Sequence, residues 1–168
     1  PLLIQSLDQR LEAIRALGVD ATLILPFDEV MSQIPAEAFI QGLAVDLGRI
    51  SSICVGAQFA FGQGRKGNVE LLHQLGQELH FVAHGTASVA LDGETVSSTR
   101  IRQAIAGGQL DLAGQMLGRE YALAGKVIRG DQRGRELGFP TANLDITGRC
   151  TPPNGVYAAH AEVDGKHY

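Results

Sequence analysis

The sequence has only two cysteines, Cys54 and Cys150. Two cysteines are too few for a disulfide scaffold or for a structural zinc site. The five histidines show no metal-ligand spacing, and we expect each to be a surface or hydrogen-bonded side chain. Because Cys54 lies in the apolar run 50–55, we expect it to be a buried core thiol.

Strong charge of one sign is also missing, since the net charge is only −4 at pH 7. This balance argues against a dedicated nucleic-acid-binding protein. There is no secretory signal pattern and no apolar run of membrane-spanning length, so we expect a cytoplasmic protein without a membrane partner. Hydrophobic residues make up 45% of the chain, which is enough to bury a core. The composition does not define an oligomeric state.

Apolar periodicity predicts helices and strands that alternate over the first hundred residues. Such alternation implies the α/β class with a parallel sheet, which binds ligands at the carboxyl ends of its strands. Two stretches, 56–62 and the start of the helix at 97–102, are expected at such ends. The predicted helices are 7–17, 35–47, 69–75, 97–106 and 110–117, and the predicted strands are 21–25, 50–55 and 79–83.

After Gly118 the pattern changes to extended segments, 122–129 and 156–163, separated by glycine and proline. We therefore predict a domain at 1–107, a linker helix within 108–120 and a second domain at 121–168. The second domain is short for a closed barrel, so we expect it to be open or to lack strands.

Residues 130–144 read G-D-Q-R-G-R-E-L-G-F-P-T-A-N-L. Glycine lets backbone N–H groups approach an anion closely. The Thr141 hydroxyl and the Asn143 amide are oxygen ligands suited to Mg²⁺. The stretch is not a Walker loop. A phosphate and metal loop and an ordinary glycine-rich connection both remain open on these residues alone.

Residues 97–102 read S-S-T-R-I-R and introduce a predicted helix. Serine and threonine are good N-cap residues, and a helix N-terminus suits a phosphate. Arg102 lies one turn inside, where its planar fork could pair with phosphate oxygens. An ordinary capped helix with surface arginines is the alternative interpretation.

Together these stretches resemble the prokaryotic bifunctional riboflavin kinase/FAD synthetases. V-S-S-T-R-I-R at 96–102 matches the family's I-S-S-T-x-I-R, and 137–144 matches its L-G-F-P-T-A-N-L. V-G-A-Q-F-A-F-G at 55–62 is similar to its G-x-[DN]-F-x-F-G motif, with Gln58 at the position of Asp or Asn. L-G-R before Tyr121 and G-V-Y at 155–157 extend the resemblance, which covers nearly the whole chain.

The resemblance implies a Rossmann-like nucleotidyltransferase sheet followed by the start of a small antiparallel β-barrel of the riboflavin kinase type. It also implies a transferase that uses ATP and Mg²⁺ to phosphorylate riboflavin to FMN, and then to adenylylate FMN to FAD. Both steps pass charge through phosphate oxygens, so cations and positioning dominate the catalysis.

The resemblance assigns roles to particular side chains. Arg102 and Asn143 would be catalytic, with Arg102 stabilising the departing pyrophosphate, and Thr141 and Asn143 would hold the metal. The expected nucleotide and phosphate site comprises Ser98, Thr99, Arg102, Gly130, Gly134, Gly138 and Thr141. The expected flavin site comprises Gly56, Phe59 and Phe61, although alternating aromatic residues near a strand end are core about as often as ligand platform.

Two family features have no counterpart in the sequence: the H-x-G-H motif and the carboxylate base of the kinase. We therefore expect the middle of a longer enzyme, with both catalytic centres incomplete. A nucleotide- or flavin-binding fragment without turnover is one alternative. A single-function nucleotidyltransferase is another, and Thr141 and Asn143 argue against it.

Overall fold

A computed structural model describes residues 1–130, 138–139, 141–163 and 165–168. The helices are α1 Leu7–Ala16, α2 Glu29–Ser32, α3 Ala36–Leu47, α4 Val69–Leu79, α5 Ser98–Ala106 and α6 Leu110–Leu117, with a short 3-10 helix at Gln63–Arg65. The strands are β1 Ser52–Gly56, β2 Val82–Thr86, β3 Ala90–Leu91, β4 Glu94–Thr95, β5 Val127–Ile128, β6 Asn143–Leu144, β7 Glu162–Val163 and β8 Lys166–His167. The chain forms two compact units, Ala21–Thr95 and Pro1–Asp20 with Val96–Tyr168. The predicted helices are thus confirmed, with ends shifted by a few residues.

The Ala21–Thr95 unit is built on a parallel pair of strands. β1 pairs with β2 from Ser52 opposite Val82 to Gly56 opposite Thr86. α4 connects them, and its amphipathic sequence buries Leu72 and Leu75. The mixed α/β class with a small parallel sheet is therefore confirmed. The core consists of Ala36, Ile40, Phe61, Leu72, Leu75, Phe81 and Ala83.

The start of β2 differs from the prediction. α4 continues to Leu79, and His80 then takes the left-handed conformation, with φ 61°. The Phe81 N–H donates a hydrogen bond to the Gly76 carbonyl at 3.0 Å, so the strand begins only at Val82. The helix cap thus occupies residues that the apolar pattern had placed in the strand.

Two further predictions in this unit are wrong. Residues 21–25 form no strand, because an apolar run becomes a strand only beside a partner, and Leu23 and Ile24 remain more than half exposed. Cys54 is exposed. In β1, Ile53 and Val55 are partly buried, and Cys54 points to the opposite face, as the two-residue period of a strand requires.

In the other unit, α1 begins with a capping box between Ser6 and Gln9. α6 ends at Gly118, whose φ of 68° is favourable for glycine. β5 and β6 pair antiparallel, as do β7 and β8, but the strands are only two residues long. Most of the described part of the predicted extended segments therefore lies outside strands. Over the described ranges, no helix is both long and apolar enough to cross a membrane.

Candidate functional site

A cavity of about 340 Å³ lies within the Ala21–Thr95 unit. Its lining is mainly apolar and aromatic, and it includes two residues from the motif at 55–62, Phe59 and Phe61. Gly56, the third expected flavin residue, ends β1 and lies outside the described lining of the cavity. Other lining side chains are Phe27, Met31, Phe39 and Arg65.

Phe59 and Phe61 have different environments, although both face the cavity. Their rings stack with centroids 5.5 Å apart and planes at 18°. Phe61 is only 8% exposed and also contacts Phe39, with ring centroids 6.3 Å apart. Phe59 is 44% exposed. Phe61 is therefore a core residue that also lines the cavity, and Phe59 offers the more accessible ring.

The loop after Phe61 is fixed by its backbone. Phe61 and Gly67 exchange two hydrogen bonds, of 3.1 and 2.9 Å. Gly62 has φ 70°, and a Cβ there would lie 2.5 Å from the Ala36 Cα, so only glycine fits. The Gln63 N–H donates to the Ile34 carbonyl at 2.8 Å. This loop carries the next charged residue into the lining.

Arg65 is the charged residue among the described lining of the cavity. It ends the 3-10 helix with φ 57°, an uncommon conformation for a non-glycine residue. The sequence alone predicted no role for this arginine. Its position just after the aromatic motif was the one sequence feature that pointed to a role at the site. The sequence alone could not show that the loop brings Arg65 to the cavity. Arg65 is exposed, so at the edge of an apolar lining its guanidinium offers a planar fork for a carboxylate or phosphate.

The second expected site is the N-terminus of α5, in the other unit. Ser97 is the N-cap, and its Oγ accepts from the Arg100 N–H at 3.2 Å. Ser98 and Thr99 are exposed in the first turn, and Arg102 is partly buried one turn later. Residues three and four apart share a helix face, so the three expected phosphate ligands are brought together.

Arg102 already has one identified partner in this unit. Its Nε donates to the Leu2 carbonyl at 2.7 Å. Guanidinium has five N–H donors, so its terminal amino groups retain the capacity to bind an anion. This contact orients the arginine, and no signal in the sequence indicated it.

The third expected site surrounds β6. Asn143 pairs with Ile128 across the β5–β6 ladder, and its amide lies beside Gly130. A Cβ at Gly130 would overlap with Asn143 Nδ2, so glycine leaves the space that the amide occupies. Thr141 is exposed two residues earlier, and Gly138 has φ 82°. Gly134 lies outside the described residues.

The turn after β6 is held by Asp145. Its Oδ1 accepts from the Thr147 hydroxyl at 2.7 Å and from the Thr147 N–H at 3.1 Å. These two hydrogen bonds hold the pKa of the Asp145 carboxyl below its usual value. The Asp145 N–H also donates to the Lys126 carbonyl at 2.8 Å, which extends the β5–β6 pairing.

The oxygen donors near β6 suit a hard cation better than a soft one. The Thr141 hydroxyl and the Asn143 amide are of the type that Mg²⁺ accepts, and Gly130 keeps the space beside the amide free of a side chain. Across the described ranges, no group of three or more His, Cys, Asp and Glu is placed to hold a metal. Thr141 and Asn143 are therefore oxygen donors of the chemical type that Mg²⁺ binds, and the metal site stays a prediction.

Two family models and several curated proteins match this chain. The FAD synthetase family model matches residues 1–100, and the riboflavin kinase model matches residues 117–168. The bifunctional riboflavin kinase/FMN adenylyltransferase of Escherichia coli K12 is 38% identical over 94% of this chain and 50% of its own length. The protein of the same name from Bacillus subtilis 168 is 34% identical over 99% of this chain and 52% of its own length.

A solved structure has the same fold over almost the whole chain. It is a crystal structure from Streptococcus pneumoniae, named as that of a macrolide-efflux protein. The TM-score is 0.82 at 29% identity, over 99% of this chain and 54% of that one. The chain spans about half the length of the curated relatives that it matches. Because the FAD synthetase model matches residues 1–100 of 168, the chain belongs to the FAD synthetase family.

Proposed function

We propose that this protein is a transferase of flavin cofactor biosynthesis, which phosphorylates riboflavin to FMN and adenylylates FMN to FAD with ATP as donor. The observation that carries the proposal is the aromatic cavity with Arg65 in its lining. It combines a surface for a flat apolar ring with a cation for a phosphate. The family matches at 1–100 and 117–168 support the two activities.

The cavity suits FMN in both size and chemistry. Its volume of about 340 Å³ falls within the usual range for small-molecule sites. The partly exposed ring of Phe59 would stack on the isoalloxazine ring, and Phe61 would support Phe59 from the core. The Arg65 guanidinium would bind the FMN phosphate through its planar fork.

The N-terminus of α5 would bind the phosphates of the ATP used in adenylylation. Ser98 and Thr99 offer hydroxyls and backbone N–H groups at the positive end of the helix dipole. Arg102, on the same face, would stabilise the charge that develops on the departing pyrophosphate. Its role needs the guanidinium to keep a fixed orientation.

The loop around β6 would bind the ATP used in phosphorylation. Thr141 and Asn143 would hold Mg²⁺, and Gly130, Gly134 and Gly138 would shape the nucleotide loop. Bound Mg²⁺ would neutralise charge on the phosphate oxygens during transfer. The Asn143 amide is the donor whose position the fold fixes most clearly, since it occupies the space beside Gly130.

The proposed function also implies a particular arrangement of domains along the chain. We propose a Rossmann-like nucleotidyltransferase domain at 1–107, a linker helix within 108–120 and the start of an antiparallel riboflavin kinase barrel at 121–168. Small molecules, namely ATP, riboflavin and FMN, would be the partners, without nucleic acid or membrane. Cytoplasm is the proposed location.

The test is a conversion assay with the purified whole protein. One tube contains riboflavin, ATP and Mg²⁺, a second starts from FMN, and the flavins are separated by chromatography. FMN in the first tube and FAD in the second support the proposal. If flavin binds and neither product forms, the protein is a binding module. If neither product forms and flavin does not bind, the cavity assignment is wrong as well.

A further inference from the structure

Leu3 is fixed on both sides by the segment that carries Cys150. The Leu3 N–H donates to the Gly148 carbonyl, and the Cys150 N–H donates to the Leu3 carbonyl, both at 2.8 Å. Leu3 thereby forms a parallel bridge with Arg149. All of these residues belong to one compact unit. The position of the Leu2–Leu3 backbone therefore depends on residues 148–150.

The same backbone orients Arg102. Leu2 precedes the bridged residue, and its carbonyl accepts from Arg102 Nε at 2.7 Å. The five donors of arginine lie in one rigid plane, so an anchor at Nε sets the direction of the two terminal amino groups. A displacement of Leu2 would therefore turn the guanidinium away from its phosphate-binding direction.

Tyr121 contacts residues 148–150 as well, at Cys150. Its hydroxyl donates to the Cys150 carbonyl, and the Cys150 side chain is only 4% exposed. The thiol of Cys150 lies 3.7 Å from the Arg102 carbonyl, so the segment also packs against α5. Tyr121 and Cys150 lie in the riboflavin kinase match, whereas Leu2 and Leu3 lie in the FAD synthetase match.

We propose that Tyr121 is a positioning residue for Arg102 in adenylyl transfer, and that it acts through Cys150, Leu3 and Leu2. A residue in the riboflavin kinase match would thus govern phosphate binding at the adenylylation site. This inference rests on the proposed function, because it assumes that Arg102 binds the phosphates of ATP.

The test is Tyr121→Phe in the whole protein, which removes only the hydroxyl. We expect kcat/KM for ATP in FMN adenylylation to fall about fivefold, the size expected for one lost hydrogen bond. Inhibition by inorganic pyrophosphate should weaken by a similar factor. Riboflavin phosphorylation should change less than twofold, although Tyr121 lies in the kinase match. An unchanged adenylylation reaction would overturn the inference.

The matched control is Tyr157→Phe, because the Tyr157 hydroxyl also donates to a backbone carbonyl, that of Pro153, at 2.7 Å. None of the described hydrogen bonds joins Tyr157 to the bridge between Leu3 and Arg149. We therefore expect Tyr157→Phe to leave the kcat/KM of adenylylation unchanged. If Tyr121→Phe does not fold, Leu3→Pro removes the N–H bonded to Gly148 and gives the same readout.

A double-mutant cycle with Arg102→Lys tests whether Tyr121 acts through the arginine. Lysine keeps the charge but lacks the Nε anchor, so adding Tyr121→Phe to Arg102→Lys should cause no further loss. A full additional fivefold loss would contradict the inference. Failure of the proposed function is a separate result, since the unaltered protein would then form no FAD from FMN.

Discussion

The ring of Phe59 stacks on the ring of Phe61 with centroids 5.5 Å apart, yet Phe59 is 44% exposed and Phe61 only 8%. The pair therefore joins the hydrophobic core to the cavity surface. Phe61 is held by the core and by reciprocal backbone hydrogen bonds with Gly67, so the ring beneath Phe59 is rigid. A rigid support reduces the ordering cost when a flat ligand stacks on the exposed ring.

Replacing Phe59 with alanine should weaken FMN binding while the fold persists. The lost stacking surface should raise Kd for FMN about tenfold, since an aromatic pair with its buried area contributes on the order of 1–2 kcal/mol. Titration of flavin fluorescence measures Kd, and thermal unfolding checks the fold. Val30→Ala is the control, because Val30 is exposed on α2 and outside the described cavity lining. Equal Kd values for both variants would exclude Phe59 from the site.

Gly67→Ala should destabilise the protein through overpacking. A Cβ at Gly67 would lie 2.7 Å from the Ala36 Cβ and 2.8 Å from the Phe61 ring, so the core must shift. We expect a loss of about 1–3 kcal/mol in the free energy of unfolding. Gly42→Ala is the matched control, because Gly42 lies in α3 with no atom within 4 Å of an added Cβ. That change should stabilise the helix by about 0.5–1 kcal/mol. Denaturant unfolding that ranks the variants in the reverse order would contradict this packing.

The helices were predictable because local signals define them. Ser97 and Asn68 cap α5 and α4 through their own side chains, and Gly118 ends α6 in the left-handed conformation that glycine favours. These signals act within four residues, so the sequence contains them directly. The family motifs extended the prediction from helices to the chemistry expected at their ends.

Features that depend on distant partners were not predictable in the same way. An apolar run at 21–25 indicated a strand, but a strand requires a neighbour that no local pattern specifies. The exposure of Cys54 depends on which face of β1 meets the core. Arg65 lines the cavity, and Arg102 contacts Leu2, only because segments far apart in sequence are close in the fold.

Arg65→Gln should separate the binding of FMN from that of riboflavin. The two flavins differ by a phosphate, and a charge-assisted hydrogen bond to it contributes about 1.5–3 kcal/mol. We expect Kd for FMN to rise at least about tenfold at this cavity, with Kd for riboflavin there nearly unchanged. Lys66→Gln is the control, because Lys66 is an adjacent exposed cation outside the described lining. If Kd rises equally for both flavins, Arg65 does not bind the FMN phosphate.

Substitutions at the two nucleotide sites should have opposite effects in the whole protein. Thr141→Ala and Asn143→Ala should abolish FMN formation and spare FAD synthesis from FMN, because Mg²⁺ would lose its oxygen ligands only at the kinase site. Arg102→Ala should abolish FAD synthesis and spare FMN formation, since the pyrophosphate would lose its cation. Chromatography of the flavins separates the two reactions. If each substitution removed both activities while the protein stayed folded, the assignment to two sites would be wrong.

Tyr121 should make stability depend on pH at the alkaline end. Burial, with a smaller contribution from Cys150, raises the pKa of Tyr121 from 10.0 to about 12. Because the folded state favours the protonated hydroxyl, this stabilisation is complete below about pH 10 and is lost as pH rises through about 12. Tyr121→Phe cannot ionise, although it lacks the hydrogen bond to the Cys150 carbonyl. The stability gap between the unaltered protein and the variant should therefore narrow between pH 10 and 12 in denaturant titrations. Tyr157→Phe controls for general effects of removing a hydroxyl, and a constant gap for Tyr121→Phe would show that Tyr121 titrates alike in both states.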